Sequence, residues 1–327
     1  MGKTWVWFLV SILLVASFSV VGCDSLQKTE TEYKIGITQI IDHASLDAAR
    51  EGFIEALKDE GFVEGENLTI DIKSAQGDMT TATTIAEGFV NDEVDLILAI
   101  ATPSAQAVKN ATDEIPILFT AVTEPVIAGL VESLENPGGN ATGTHDMNPI
   151  KDQLALIKEI APEAKTVGVI FNSAEDNSIV QVELLEEIAP DLDLMVEKAA
   201  ITGTGEVATA AESLADKIDA FYIPTDNTVV AAIASVIKLA EENKIPIIAG
   251  EGNTVEEGAL ATVGIDYLKL GYQTGKMAAK VLRGDAEPAD LPVEGQNEYE
   301  YVVNIAAAEN MGVTLPQGLL DKAKKIE

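Results

Sequence analysis

The stretch Val94-Asp-Leu-Ile-Leu-Ala-Ile-Ala-Thr-Pro-Ser-Ala-Gln-Ala-Val-Lys-Asn-Ala111 decides the fold. Val94 to Ala101 is apolar but for Asp95, as in a strand covered on both faces. Thr-Pro-Ser then opens a helix, since proline's fixed φ suits a first turn, and Ser104 to Ala111 continues it. A doubly covered strand that runs straight into a helix belongs to a parallel sheet flanked by helices.

The same unit recurs outward in both directions. Upstream, Tyr33 to Gln39 and Leu68 to Lys73 read as strands, with helices at Leu46 to Glu60 (stopped by Gly61) and Thr80 to Asn91. Ile115 to Thr120 is another buried strand. Further on, helices are expected at 151–160, 179–189, 206–217 and 227–243. Strands are expected at 166–172, 194–199, 220–223 and 245–249. Right-handed crossovers follow from the chirality rule.

The two halves also echo each other. Ile115-Pro-Ile-Leu-Phe-Thr is matched by Ile245-Pro-Ile-Ile-Ala-Gly, and the turn Ala101-Thr-Pro-Ser-Ala by Pro224-Thr-Asp-Asn-Thr. The fold class is therefore α/β, with two similar Rossmann-like lobes of parallel sheet joined by a hinge. The turn-rich Glu135 to Thr144 suits a crossover and Ala261 to Asp266 the return. Tyr267 to Leu282 is expected to be a helix on the first lobe, Asp285 to Glu298 an irregular loop, and Tyr299 to Asn304 the last strand. The expected division is 33–143 with 265–285 as lobe 1, and 144–264 with 286–327 as lobe 2.

The N-terminus carries a different signal. Met1-Gly-Lys-Thr-Trp-Val-Trp-Phe-Leu-Val-Ser-Ile-Leu-Leu-Val-Ala-Ser-Phe-Ser-Val-Val-Gly-Cys23 has a basic start, an apolar stretch and a small residue before the chain's one cysteine. This ending resembles a bacterial lipobox. The expectation is a signal peptide at 1–22, lipid on Cys23 and a tether at 23–32, which puts the protein outside the cytoplasm on a membrane. An uncleaved anchor is the alternative, because about 18 apolar residues approach the length of a span. N-myristoylation is disfavoured, because Val6 stands where the motif has Ser or Thr.

Composition narrows the function. With 54 Asp and Glu against 21 Lys and Arg, the net charge is −33, which argues against a nucleic-acid partner. Acidic residues are spread through the chain, as on a solvated surface. There is no Asp-x-Asp-x-Asp-Gly calcium loop, and no metal or cofactor is expected. No Gly-x-Gly-x-x-Gly, Gly-x-Ser-x-Gly or Gly-x-x-x-x-Gly-Lys-Ser/Thr phosphate loop is present either, and only two histidines are present. An enzyme is disfavoured.

Several stretches taken in order resemble the ABC-transporter substrate-binding proteins of the tryptophan/aromatic-amino-acid type. They are Gly36-Ile-Thr-Gln-Ile-Ile-Asp-His43, Ala101-Thr-Pro-Ser-Ala-Gln106, Phe119-Thr-Ala-Val-Thr-Glu-Pro125 and Asn136-Pro-Gly-Gly-Asn-Ala-Thr-Gly-Thr144. Tyr222-Ile-Pro-Thr-Asp-Asn227, Gly250-Glu-Gly, Gly264-Ile-Asp-Tyr267 and Gly271-Tyr-Gln-Thr-Gly275 continue the pattern. The resemblance spans nearly the whole chain beyond the leader. It implies a type I periplasmic-binding-protein-like receptor that closes on a small ligand and delivers it to a permease and an ATPase. It also implies an amino-acid ligand: tryptophan, phenylalanine or tyrosine. A sensory module acting through a separate partner is the main alternative.

In open parallel sheets, ligands bind beyond the carboxyl ends of strands, and two facing rims make a cleft. Thr102 and Ser104 open a helix whose free amides suit a carboxylate, and Thr120 and Thr123 offer hydroxyls to it. Asp226 is the first candidate partner for an α-ammonium, with Asn227 beside it and Glu251 and Asp266 as rivals. Ser173, Glu175 and Asn177 follow a second-lobe strand, and Gln39 the first strand. Helix capping is the competing role for Thr102, Ser104, Asp226, Asn227 and the 173–177 loop. Phe119, Phe171, Tyr222 and Tyr267 are candidate ring surfaces, with core packing the alternative for Phe171 and Tyr222. His43 is read as a cap or surface residue that can also line the cleft, and His145-Asp146 as hinge or cleft lining.

Overall fold

The computed structural model describes residues 32–327. The proposed leader, Cys23 and the tether through Thr31 lie outside the described residues. In chain order the elements begin with β1 (Tyr33–Gln39), α1 (Ala44–Asp59), β2 (Leu68–Ser74), α2 (Met79–Asn91) and β3 (Leu96–Ile100). Next come α3 (Thr102–Ala111), β4 (Ile117–Val122), β5 (Ala141–His145), α4 (Ile150–Ile160), β6 (Thr166–Asn172) and α5 (Asp176–Ile188). The second half continues with β7 (Met195–Ile201), α6 (Val207–Ala215), β8 (Ala220–Ile223), α7 (Asn227–Val230), α8 (Ile233–Asn243), β9 (Ile247–Ala249) and α9 (Gly252–Glu256). It closes with β10 (Ala261–Gly264), α10 (Tyr267–Leu282), β11 (Glu294–Gly295), β12 (Glu300–Asn304), α11 (Ile305–Met311), α12 (Gln317–Lys322) and β13 (Lys324–Ile326).

The strands form two sheets, one per lobe. The first is ordered β11-β5-β4-β3-β1-β2 and the second β13-β12-β10-β9-β8-β6-β7. Pairing is parallel throughout except between β10 and β12. Every residue of β3 is buried, as the apolar run requires. Each sheet has its own apolar core, one around Ile35, Leu98 and Phe119 and the other around Val169, Phe221 and Ile248.

Helix α10 follows β10 of the second sheet but packs on α1 of the first lobe. The sequence provides for this with small residues. A Cβ on Gly271 would lie 1.8 Å from the carbonyl oxygen of Ala49, and one on Gly52 would lie 2.0 Å from that of Leu268. Only glycine lets the two helix backbones approach so closely. This crossing fastens the return segment to the first lobe.

The strand pairing sets the crossovers later than the sequence reading placed them. Thr144 and His145 complete β5, and Glu294–Gly295 pairs with them in the first sheet. The segment 286–295, assigned to lobe 2 from sequence, therefore ends on the first sheet. Two backbone pairs carry no side-chain periodicity for a sequence reading to detect. The helix expected over 227–243 is likewise two helices, interrupted at Ala231–Ala232.

Candidate ligand-binding site

The carboxyl ends of the two parallel sheets face each other across a narrow, nearly closed cavity lined from both lobes. The first lobe contributes His43 and Leu46 beyond β1, Ala121 and Thr123 around the end of β4, and Asp146 beyond β5. The second lobe contributes Asn177 from α5, Thr225 to Asn227 beyond β8, Val230, and Glu251 beyond β9. Tyr267, at the start of α10, completes the lining.

Carboxylates dominate the chemistry. Asp146, Asp226 and Glu251 line the cavity and are buried, while no lysine or arginine does so. Asp146 accepts hydrogen bonds from the hydroxyls of Thr123 at 3.0 Å and Tyr267 at 2.6 Å. Burial pushes its pKa up, against the pull of these two donors. Glu251 accepts from the Thr254 hydroxyl at 3.0 Å. Burial pushes it up to about 7, the charge of Asp146 adding to the shift and the nearby Ser45 and Tyr267 hydroxyls opposing it. The Tyr267 hydroxyl is itself driven upward by burial and by the charges of Asp146 and Glu251. Thr123, Asp146, Tyr267 and Glu251 thus form one acidic pole that lacks a cation.

Asp226 lines the cavity and also takes the capping role that stands as the alternative to ligand contact. Its carboxylate accepts the backbone N–H of Asn172 and, as the N-cap of α7, that of Val229 at 2.8 Å. Burial and the neighbouring charge of Glu175 raise its pKa. Its hydrogen-bonding capacity is largely spent on the second lobe's own backbone. Glu175 accepts from the Asn227 amide at 2.6 Å, the Thr228 hydroxyl at 2.7 Å and the Asn172 amide at 3.0 Å. It holds Asn227 in the lining and is absent from the lining itself. Asn177 lines the cavity with its Oδ1 unpartnered.

Thr102 and Ser104, both absent from the cavity lining, open α3 at the middle of the first lobe's rim. Both are buried, and neither hydroxyl has a partner within the fold. The first N–H groups of a helix have no intrahelical acceptor either. Ala101, which precedes them, sits at φ 74° and ψ 154°. That region is essentially restricted to glycine, and a side chain there costs on the order of 1–3 kcal/mol. Ala121, in β4, is also left-handed, at φ 56°. Thr102 and Asn177 share a second small recess with Asp176 and Val180, so the α3 terminus adjoins the cavity.

Four expected residues lie elsewhere. Gln39 is spent locally, donating to Ile41, Asp42 and Asp47 and accepting from Arg50. Thr120 shares a hydroxyl contact with Thr144, which in turn meets Thr274. Ser173 is exposed and donates to the Ile201 carbonyl. Asp266 caps α10 and pairs with Lys269 on the outer side of the hinge. Among the ring candidates, Phe119 and Tyr222 are fully buried in the two cores, with the Tyr222 hydroxyl donating to Gln153. Phe171 packs against the second core. Only Tyr267 reaches the cavity. His43 and Asp146 matter more than their sequence context suggested.

A model of the family described as ABC transporter substrate binding protein matches residues 34–327. The chain belongs to that family. The tyrosine-binding protein of Clostridioides difficile (strain R20291) is 50% identical to this substrate-binding protein over 280 residues, 85% of this chain and 81% of the relative. A solved ABC domain from Streptococcus pneumonia in complex with L-Trp is 37% identical, with a TM-score of 0.87 over 91% of this chain and 100% of its own. The ligand-free, open structure of a Clostridium difficile substrate-binding protein with adhesive properties is 47% identical, with a TM-score of 0.68 over 90% of this chain and 99% of its own. Family and fold are those of solute-binding proteins, not of enzymes. Among the described residues no helix is long and apolar enough to cross a membrane.

Proposed function

We propose that this protein is the extracytoplasmic receptor of an ABC importer for an aromatic amino acid, tyrosine foremost, tethered by lipid on Cys23. The observation that carries the reading is the acidic pole of Asp146, Glu251 and Tyr267, buried in the cavity with no lysine or arginine in its lining. Buried carboxylates need a partner of opposite charge, and an α-ammonium supplies one. The α-carboxylate goes to the start of α3, where the Thr102 and Ser104 hydroxyls are unpartnered and the first amides of a helix have no intrahelical acceptor. The tyrosine-binding and L-Trp-bound relatives support an aromatic side chain.

Capture proceeds by hinge closure. The lobes follow the two sheets and swing about the crossovers near Asp146, Ile265 and Gln296. Ligand bridges the facing rims and selects the closed form, which a permease and its ATPase then recognise. The similarity pattern supports this motion. The open relative is closer in sequence than the L-Trp complex yet further in overall shape. That is the pattern expected of two lobes with more than one mutual arrangement.

A thermal-melting screen against the amino acids and common sugars tests the function. Ligand at about 100 times its dissociation constant adds about 2.7 kcal/mol. Stabilisation by tyrosine, tryptophan or phenylalanine alone is the expected result. Stabilisation by a sugar, or by none of the solutes, would overturn the reading.

A further inference from the structure

We propose that His43 reads the ring of the bound amino acid, hydrogen-bonding a ring-borne hydroxyl and so favouring tyrosine over phenylalanine. The assignment rests on the aromatic-amino-acid reading above and adds a specificity determinant to it.

His43 lies between β1 and α1, lines the cavity, and has no hydrogen-bond partner on either ring nitrogen. A neutral imidazole carries one donor and one acceptor, so two polar valences are left open in a buried place. Nothing in the fold requires them. His43 is the N-cap residue of α1, yet its side chain makes no capping hydrogen bond. Its carbonyl does the local work by accepting the N–H of Asp47 at 3.0 Å. A leucine or phenylalanine would fill the same space without stranding two polar atoms. An imidazole held there with neither nitrogen in a well-formed hydrogen bond, and with the Asn227 side chain alone within its reach, is positioned for a ligand.

Its place on the rim says which part of the ligand it meets. The first sheet runs β5-β4-β3-β1 across the cleft. Asp146 follows β5, Thr123 follows β4, Thr102 and Ser104 follow β3, and His43 follows β1. With neighbouring strands about 4.8 Å apart, the main chain at His43 lies about 14 Å across the rim from that at Asp146. Asp146 holds the ammonium from the β5 end of the rim and α3 takes the carboxylate in the middle, while Glu251 reaches in from the second lobe toward Ser45. The side chain then extends toward β1. Leu46, Ala121 and Val230 supply apolar walls along that path.

The protonation state suits a neutral partner. Burial lowers the pKa of His43, opposed by nearby Asn227 and by the charges of Glu257, Asp47 and Glu175. A neutral imidazole can accept from a phenol O–H or donate to its oxygen. Phenylalanine leaves both nitrogens unpaired, and sites built to bond a hydroxyl discriminate strongly against an analogue lacking it.

Calorimetric titration of L-tyrosine and L-phenylalanine into the wild-type protein and into His43→Leu tests the proposal, with ligand-free melting measured alongside. Wild type is expected to bind tyrosine at least tenfold more tightly than phenylalanine. His43→Leu should lose tenfold or more for tyrosine, hold or gain affinity for phenylalanine, and melt no lower than wild type without ligand. If His43→Leu does not fold, His43→Gln carries the same comparison, with a smaller loss confined to tyrosine. Equal wild-type affinities, or losses of the same size for both ligands, would overturn the assignment while leaving the aromatic receptor standing. Wild type binding neither ligand would sink the receptor reading and this assignment with it.

Discussion

Replacing Glu251 by glutamine should weaken ligand binding and stabilise the empty protein at the same time. The carboxyl is buried, and its pKa is pushed from 4.5 up to about 7, chiefly by that burial. Between those values the folded protein keeps a proton that the unfolded chain has released. The group's contribution to stability is therefore complete below about pH 4.5 and is lost as pH rises toward 7. At 1.36 kcal/mol per pKa unit, the displacement amounts to about 3 kcal/mol by pH 8. Glutamine never ionises and escapes that loss. Ligand-free Glu251→Gln should melt higher than wild type at pH 8 and close to it at pH 5. At about 2 °C per kcal/mol for a protein of this size, the gap at pH 8 is at most about 6 °C, since opening of the lobes rehydrates the carboxyl. Ligand sees the opposite effect. Removing one member of a buried charge pair costs about 2–5 kcal/mol, so the dissociation constant for tyrosine should rise by at least ~30-fold. Titration at pH 6 in two buffers of different ionisation enthalpy should show proton release on binding by wild type and little by the variant. Scanning calorimetry at the two pH values and isothermal titration read all three effects. A variant that melts lower at pH 8 while binding tyrosine with wild-type affinity would refute the reasoning.

Three further outcomes follow from the same geometry. Ser104→Ala should lower tyrosine affinity about tenfold without lowering the ligand-free melting temperature, because the hydroxyl is unpartnered in the fold and bonds to charged groups are worth about 1.5–3 kcal/mol; titration and melting check both. Gln106 on α3 donates to Asp176 at the start of α5, across the cleft, at 2.8 Å. Gln106→Leu should weaken tyrosine and phenylalanine alike, by roughly the ~1 kcal/mol of one hydrogen bond, and a change in their ratio would count against a pure closure contact. Gly271→Ala should cost about 2 kcal/mol or more in urea unfolding, because its Cβ would meet the Ala49 carbonyl at 1.8 Å and α10 would have to lift from α1.

The fold was readable because its signals are local. Each buried strand is an apolar run, and each helix that follows carries its own opening, as at Ala101-Thr-Pro-Ser104. Strands Thr166–Asn172 and Ala220–Ile223 and helix Tyr267–Leu282 have the bounds expected from sequence. The two-residue strand at Glu294 and the short C-terminal elements α11, α12 and β13 were not found, because backbone pairing and docking define them. Part of the site was readable for a topological reason. Residues that follow parallel strands face the cleft, and Thr123, Asn177, Asp226, Asn227 and Glu251 all line it. Their individual roles were not readable. Asp226 and Glu251 look alike in sequence, and only the tertiary structure shows one spent on backbone amides and the other poised at an acidic pole. His43 and Asp146 resemble ordinary turn residues until the second lobe covers them. Gln39 and Asp266 sit at suitable strand ends but are taken up by neighbours, Gln39 by Asp42, Asp47 and Arg50 and Asp266 by Lys269.

The most direct measurement compares L-tyrosine with 3-(4-hydroxyphenyl)propionate, the same molecule without its amino group, by isothermal titration at pH 7.5. If Asp146 and Glu251 hold an ammonium, tyrosine binds saturably at one site, and the deaminated compound binds at least a hundredfold more weakly, about 2.7 kcal/mol. Comparable affinity for the two compounds would contradict the acidic pole as the ammonium site.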